Sequence, residues 1–329
     1  MQYIYILSAL LSLCISIVLL LVFIPILRSV KLGQKILDVG PRWHAPKAGT
    51  PIMGGLFFGA AALAGTALAY FLMRNKHFIA DDKMLFASVA FIVINFLSGF
   101  LDDYIKLFKK RNEGLTAKAK LAIQFVATAV YVFAMHSFGF GTELFIPFVG
   151  NVDFGFFYYP IIVIGIMYLI NCVNLTDGID GLAGSVTFVE MLFFSFLALG
   201  TGSMDSLVIS VPMAAALVGF LIFNVHPAKI FMGDTGSLML GATVVALACM
   251  QKMPLILVIC GFVYVFEGIT VMLQVASYKL TGKRIFKMSP FHHHLELCDW
   301  SEYKIVVSFS LASAVLCVIA YFGSVPFIK

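Results

Sequence analysis

Long apolar runs alternate with short polar links along almost the whole chain. A helix crossing a bilayer core of about 30 Å needs roughly 20 such residues. Ten runs come near that length: 3–27, 51–73, 84–101, 121–137, 157–173, 184–200, 206–224, 237–251, 254–277 and 305–325. The run 237–251 is short and interrupted by Gly241, as segments lining polar sites often are. A strand-like alternation occurs in TELFIPFVGNVDFGFF, on both sides of Gly150-Asn151, and predicts a small β-hairpin with a tight turn between the fourth and fifth helices. The first run has no basic segment before it and no small-residue cleavage site after it, which predicts a retained helix and not a signal peptide.

Composition extends this pattern to the whole chain. Of 329 residues, 61% are hydrophobic and 12% charged, with mean hydropathy +1.00, far outside the range of a soluble domain. The fold class expected is an all-α polytopic membrane protein of about ten transmembrane helices with an outward-facing hairpin, residues 1–329 forming a single integral membrane domain. The net charge of +5 comes from lysines and arginines in the links and does not point to nucleic acid. Arg28, Lys31, Lys35, Arg42, Lys47, Lys106, Lys109, Lys110, Arg111, Lys118, Lys120, Lys229, Lys279, Lys283, Arg284, Lys287 and Lys304 fall on one side. Arg74, Lys76, Lys83, Lys252 and Lys329 fall on the other. The bias makes the first side cytoplasmic and turns both termini outward. Cys14, Cys172, Cys249, Cys260, Cys298 and Cys317 show no metal or CxxC spacing and read as membrane thiols.

The unusual polar motifs all fall on the basic side. FMGDTGS, residues 231–237, sets one carboxylate among glycines before an apolar run, so Asp234 or Thr235 is expected to cap a helix whose N-terminus attracts phosphate. An aspartate oxygen there suits Mg²⁺. Asp102 and Asp103 end the third run, about 100° apart on a helix, with Lys106 one turn on, a combination that can hold a metal and anions together. In NCVNLTDGIDGLAGS, Asn171, Asn174, Asp177 and Asp180 recur every three residues and drift around a helix. The glycines then predict a break that leaves amides and carboxylates on a loop able to hydrogen-bond a nucleobase or ribose. Lys47 either holds a phosphate or serves as a topogenic charge, Phe231 either stacks on a base or packs, and Lys118 and Lys120 anchor the fourth helix to headgroups. His292, His293 and His294 fan out by about 100° each, which favours hydrogen bonds to phosphate over zinc. Glu190 and Glu267 lie inside apolar runs, where an acid needs a partner or a cavity.

Taken together, LDDYIK, NCVNLTDGIDGLA, FNVHPAKIFMGDTGS and PFHHHLE resemble the polyprenyl-phosphate N-acetylhexosamine-1-phosphate transferase superfamily, and the PFHHHLE form resembles its bacterial peptidoglycan branch. The resemblance implies a ten-helix catalytic domain in the bacterial cytoplasmic membrane, commonly homodimeric. It would move phospho-MurNAc-pentapeptide from UDP-MurNAc-pentapeptide to undecaprenyl phosphate, giving lipid I and UMP. It implies Mg²⁺ at Asp234 with Asp102 and Asp103 beside it, a uridine pocket from Lys47, Asn174, Asp177, Asp180, Asn224, Phe231 and Gln274, and His293 and His294 in the same site. Lys106, Lys110 and Lys118 would add positive charge, His293 and Lys106 acting with the three aspartates in catalysis. Gly233, Ser237 and His292 complete the substrate-binding set. KAGTPIMGG departs from the family at Ile52, where threonine is frequent, so no polar role is carried onto it. Two rivals remain: a related GlcNAc-1-phosphate transferase, and an ion-coupled transporter, which would place its acids near broken helices at mid-membrane and not at one face.

Overall fold

The computed structural model describes residues 2–29, 49–75, 82–108 and 114–327. Eleven helices run in chain order among them: α1 Gln2–Ser29, α2 Gly54–Asn75, α3 Lys83–Phe108, α4 Ala117–Ser137, α5 Tyr158–Thr176, α6 Leu182–Thr201, α7 Leu207–Asn224, α8 Gly233–Met250, α9 Phe262–Thr281, α10 Phe291–Glu296 and α11 Glu302–Phe322. Among the described residues, nine of these, α1 to α8 and α11, are long and apolar enough to cross a membrane. The run 254–277 is realised differently from the expected single span. Residues Pro254–Val258 form a 3₁₀ turn and the helix begins only at Phe262. Glu267 and Gln274 lie buried within it and lower its apolar character.

The bundle is apolar outward and partly polar inward, the reverse of a protein folded in water. On α1 the outer face carries Ile6, Leu10, Val18, Leu21 and Val22, all exposed, while Ser8, Ser12 and Ser16 are buried. Small residues let helices approach in lipid, where hydrophobic burial between helices offers no gain, and their hydroxyls then bond across the seam. The Ser12 hydroxyl donates to the Ala61 carbonyl on α2 at 3.1 Å, and that of Ser16 to the Ala216 carbonyl on α7 at 2.9 Å.

Helix α8 is the centre of the bundle, packed against α2, α3, α5, α6 and α7. From Thr235 to Met250 every residue is buried, which is the signature of a helix apolar on all sides. Its entry is tied to α2. The N–H groups of Gly54 and Gly55 donate to the carbonyls of Phe231 and Met232 at 2.8 and 2.9 Å, and the Phe231 N–H donates to the Pro51 carbonyl at 2.8 Å. A β-carbon at Gly55 would collide with the backbone of Gly236, so this approach depends on glycine.

The hairpin pairs β1 Glu143–Ile146 antiparallel with β2 Gly150–Asp153. Its turn is 147–149, so Gly150 and Asn151 lie in the second strand and not at the turn. Pro147 lacks the N–H a ladder needs, and Phe148, at φ 67°, is held by its N–H donating to the Gly323 carbonyl at 2.8 Å.

Candidate active site at the start of α8

The first turn of α8 presents N–H groups with no partner inside the helix. Neither Asp234 nor Thr235 caps it, contrary to the motif reading, because the helix already begins at Gly233. The cap comes from α3. Asp103 accepts from the N–H of Asp234 at 3.1 Å, from that of Thr235 at 2.8 Å and from the Thr235 hydroxyl at 2.6 Å. This approach is possible because α3 presents Gly99, where a β-carbon would collide with the Asp234 carbonyl. The positive end of α8 therefore faces a fixed carboxylate instead of standing free for phosphate.

Asp234 projects from that turn into a ring of donors. Its Oδ2 accepts from Lys106 Nζ and Lys120 Nζ, each at 2.8 Å, and its Oδ1 accepts from Asn174 Nδ2 at 2.8 Å. Asn174 Nδ2 also lies 2.7 Å from Ser237 Oγ. The neighbouring acid of the pair, Asp102, holds Lys106 at 2.6 Å through Oδ2 and accepts from the Leu115 N–H at 2.8 Å through Oδ1. Oxygens of Asp102, Asp103 and Asp234 lie within 4.8 Å of one another, a spacing that can hold a metal ion. Four helix ends, those of α3, α4, α5 and α8, thus bring three carboxylates, two ammonium groups and an amide to one face.

Asp177 ends α5 beside this cluster. Burial, and next the charges of Asp234, Asp103 and Asp180, push its carboxyl well above the usual carboxylate range. Asn171 turns away, donating to Gln124 Oε1 at 2.8 Å. Asp180 also faces elsewhere: its Oδ2 accepts from the Ala228 N–H at 3.0 Å and lies 3.0 Å from His226 Nδ1, while its own N–H donates to Glu302 at 3.0 Å.

Other expected site residues hold backbone. Asn224 accepts from the Gly181 N–H at 3.1 Å and donates to the Ile230 carbonyl at 2.9 Å. Gln274 accepts from the N–H groups of Ile285 and Phe286, both at 3.0 Å, and donates to the Phe286 carbonyl at 2.9 Å. His292 is completely buried, His293 Nδ1 lies 2.6 Å from Glu296, and His294 Nδ1 accepts from the Lys287 N–H at 3.1 Å. Lys47 and Lys110 lie outside the described residues. Lys118 is exposed, and its neighbour Lys120 is the one that reaches Asp234. The signal was in the spacing, since Lys120 shares a helical stripe with the buried Gln124, Ala127, Thr128 and Tyr131, whereas Lys118 points about 200° away.

Glu190 and Glu267 both have partners. Glu190 Oε1 accepts from the Ser313 hydroxyl on α11 at 3.0 Å, and Glu267 accepts from backbone N–H groups at the start of α10.

The glycosyl transferase family 4 profile matches residues 84–252, which carry the acids of α3, the end of α5, where Asn171 and Asn174 are helical and not on the expected loop, the turn at 177–181 and the start of α8. Three curated relatives are each a phospho-N-acetylmuramoyl-pentapeptide-transferase. That of Clostridium perfringens is 44% identical over 91% of this chain and 92% of its own. That of Clostridium beijerinckii is 45% identical over 93% and 92%, and that of Halalkalibacterium halodurans 42% over 94% of each. With identity at this level from one end of the bundle to the other, the chain belongs to the phospho-N-acetylmuramoyl-pentapeptide-transferase family.

Proposed function

We propose that this chain transfers phospho-MurNAc-pentapeptide from UDP-MurNAc-pentapeptide to undecaprenyl phosphate, releasing UMP and leaving lipid I in the membrane. The observation that carries the reading is the meeting of Asp102, Asp103 and Asp234 with Lys106 and Lys120 at the end of a bundle of apolar helices. An oxygen of the lipid phosphate forms a bond to the phosphorus that carries the sugar, the bridge to the α-phosphate breaks, and UMP takes the electron pair. Several anionic groups crowd together in that step, so catalysis is mostly positioning and charge neutralisation.

The donor set fits Mg²⁺, a hard ion that takes carboxylate oxygens. Asp234 and Asp102 would hold it, since both oxygens of Asp103 are spent on the start of α8. When bound, the ion would neutralise charge on the diphosphate. Lys106 and Lys120 share the oxygens it needs, so their ammonium groups would swing toward phosphate as it enters. Asn174 orients Asp234, and with Asp177 and Phe231 would form the near wall of the uridine pocket. Asn224, Asp180 and Gln274 would shape that pocket through the loops they hold, with His294 at its rim. The charge bias assigns this face to the cytoplasm, and the resemblance assigns a homodimer.

The same geometry favours direct attack by the lipid phosphate over a covalent aspartyl-phosphate. Asp103 accepts three hydrogen bonds and Asp102 is held by Lys106 and Leu115, so neither carboxylate is a free nucleophile. The test is lipid I formation from radiolabelled UDP-MurNAc-pentapeptide and undecaprenyl phosphate in detergent. No product would remove the reading. Exchange of UMP into the donor by lipid-free enzyme would replace direct attack with the covalent route.

A further inference from the structure

Helix α10, with the sequence FHHHLE, has only six residues and brings no cap of its own. The residue before it is Pro290, which supplies neither a side-chain acceptor nor an N–H, so the first donors of the helix need an outside partner. That partner is Glu267 on α9, a fully buried acid. Its Oε2 accepts from the Phe291 N–H at 2.6 Å and its Oε1 from the His292 N–H at 3.1 Å. Both carboxylate oxygens are thus used on two successive backbone donors, a grip that a neutral amide, with one oxygen and one NH₂, cannot reproduce.

The grip extends to the acidic site through one imidazole. His292 is completely buried, with Nδ1 3.2 Å from Glu267 Oε2, an ion-pair distance that is not aligned as a hydrogen bond. Its other edge lies against Gly178, where a β-carbon would collide with the ring. Gly178 follows Asp177, the acid that ends α5 beside Asp234 and Asp103. Glu267, His292 and Gly178 therefore form one stack from α9 through α10 to the turn after α5. Gln274, two turns further along α9, holds 285 and 286, so α9 side chains hold both the middle of the 282–290 link and the start of α10.

We propose that Glu267 is a positioning residue for the transfer reaction: it seats α10 on the Asp177–Gly178 turn and so sets the acidic site and the histidine helix relative to each other. Glu267 touches no substrate in this role, and the assignment rests on the transferase reading above.

Glu267→Gln keeps the volume and removes one acceptor. The expected result is a fall in kcat of about ten-fold or more, with KM for UDP-MurNAc-pentapeptide changed by less than about three-fold, as loss of a buried charge-assisted hydrogen bond to the backbone predicts. Amide hydrogen exchange should rise in 291–297 and in 177–181 while α8 stays protected. Gly178→Ala pushes on the same imidazole from the other side. The two losses should not multiply when Glu267→Gln and Gly178→Ala are combined, since both act through one seat. Glu267→Asp keeps the charge on a shorter arm and should lie between wild type and Glu267→Gln, and it stands in if Glu267→Gln does not fold. Wild-type turnover in Glu267→Gln, exchange rising evenly over all helices, or losses that multiply would each overturn the proposal. Failure of the transferase reading would look different: wild-type protein would make no lipid I. The exchange experiment would then still decide whether Glu267 links α10 to the 177–181 turn.

Discussion

Asp234 and Lys120 show at the scale of single residues how charge is set in the site. Asp234→Ala should abolish lipid I synthesis at every Mg²⁺ concentration while the protein stays monodisperse in detergent; near-normal turnover at saturating Mg²⁺ would move the metal to Asp102. Lys120 Nζ shares Asp234 Oδ2 with any incoming cation. Lys120→Met should therefore lower kcat, by about ten-fold or more for a lost charge contact to phosphate, and also lower the Mg²⁺ concentration giving half-maximal rate. A rise in that concentration would show that the lysine organises the metal site and does not compete for it. Asp177 has a folded pKa above its unfolded value, so the folded protein holds the proton more tightly. Its carboxylate then costs stability that grows as pH rises from the ordinary carboxylate range up through the folded pKa. Asp177→Asn should raise the Tm of the metal-free protein at pH 8, with the gain shrinking as pH is lowered toward about 4. A gain that does not change with pH would contradict the shift.

At the scale of elements, both short-range surprises have one cause. The starts of α8 and α10 are capped by acids of other helices, Asp103 and Glu267, because neither helix begins with a capping side chain. Asp103→Ala should cost about 1–3 kcal/mol, the usual penalty for leaving buried backbone donors unpaired. Hydrogen exchange should rise first at 234–237, and Asp103→Asn, which keeps one acceptor, should cost less. The elements themselves were legible, since a run of about 20 apolar residues has few alternatives to a helix when backbone groups must be satisfied inside a bilayer. Where the reading missed, at 254–277 and at the hairpin turn, a proline interrupts the pattern: Pro254 opens a 3₁₀ turn and Pro147 stops a strand. At α8 the run interrupted by Gly241 lines the polar site with its first turn and is enclosed along its length, with a β-carbon at Gly241 meeting the backbone of Ile170.

At the scale of the whole molecule, the charge bias and the bundle make one statement about topology. The ends of α3 and α5 and the starts of α4 and α8 gather on one face, as alternating spans require. Single cysteines placed beside Asp102, Asp177, Asp234 or His293 in a cysteine-free variant should react with impermeant thiol reagents only in inverted vesicles. Labelling of any of them in intact cells would reverse the orientation. The acids that favoured a transporter no longer do so. Glu267 holds α10 and Glu190 meets Ser313, while the charged cluster sits at one end of the bundle.

Length and hydropathy of the runs determined the class of fold, and residue type at the helix ends determined which chemistry was available. Asp102, Asp103 and Asp234 were candidates from the sequence because acids at the mouth of apolar helices are costly unless used. Only the tertiary structure separated them, putting Asp103 on the α8 backbone and leaving Asp102 and Asp234 on lysines. The same holds for Lys120 over Lys118, for the backbone roles of Asn224 and Gln274, and for Gly178 beneath His292. Each is a contact between segments tens of residues apart in sequence. A periodic pattern specifies which face of a helix is buried, but the partner a polar group finds depends on which helix end is carried within hydrogen-bonding distance of it.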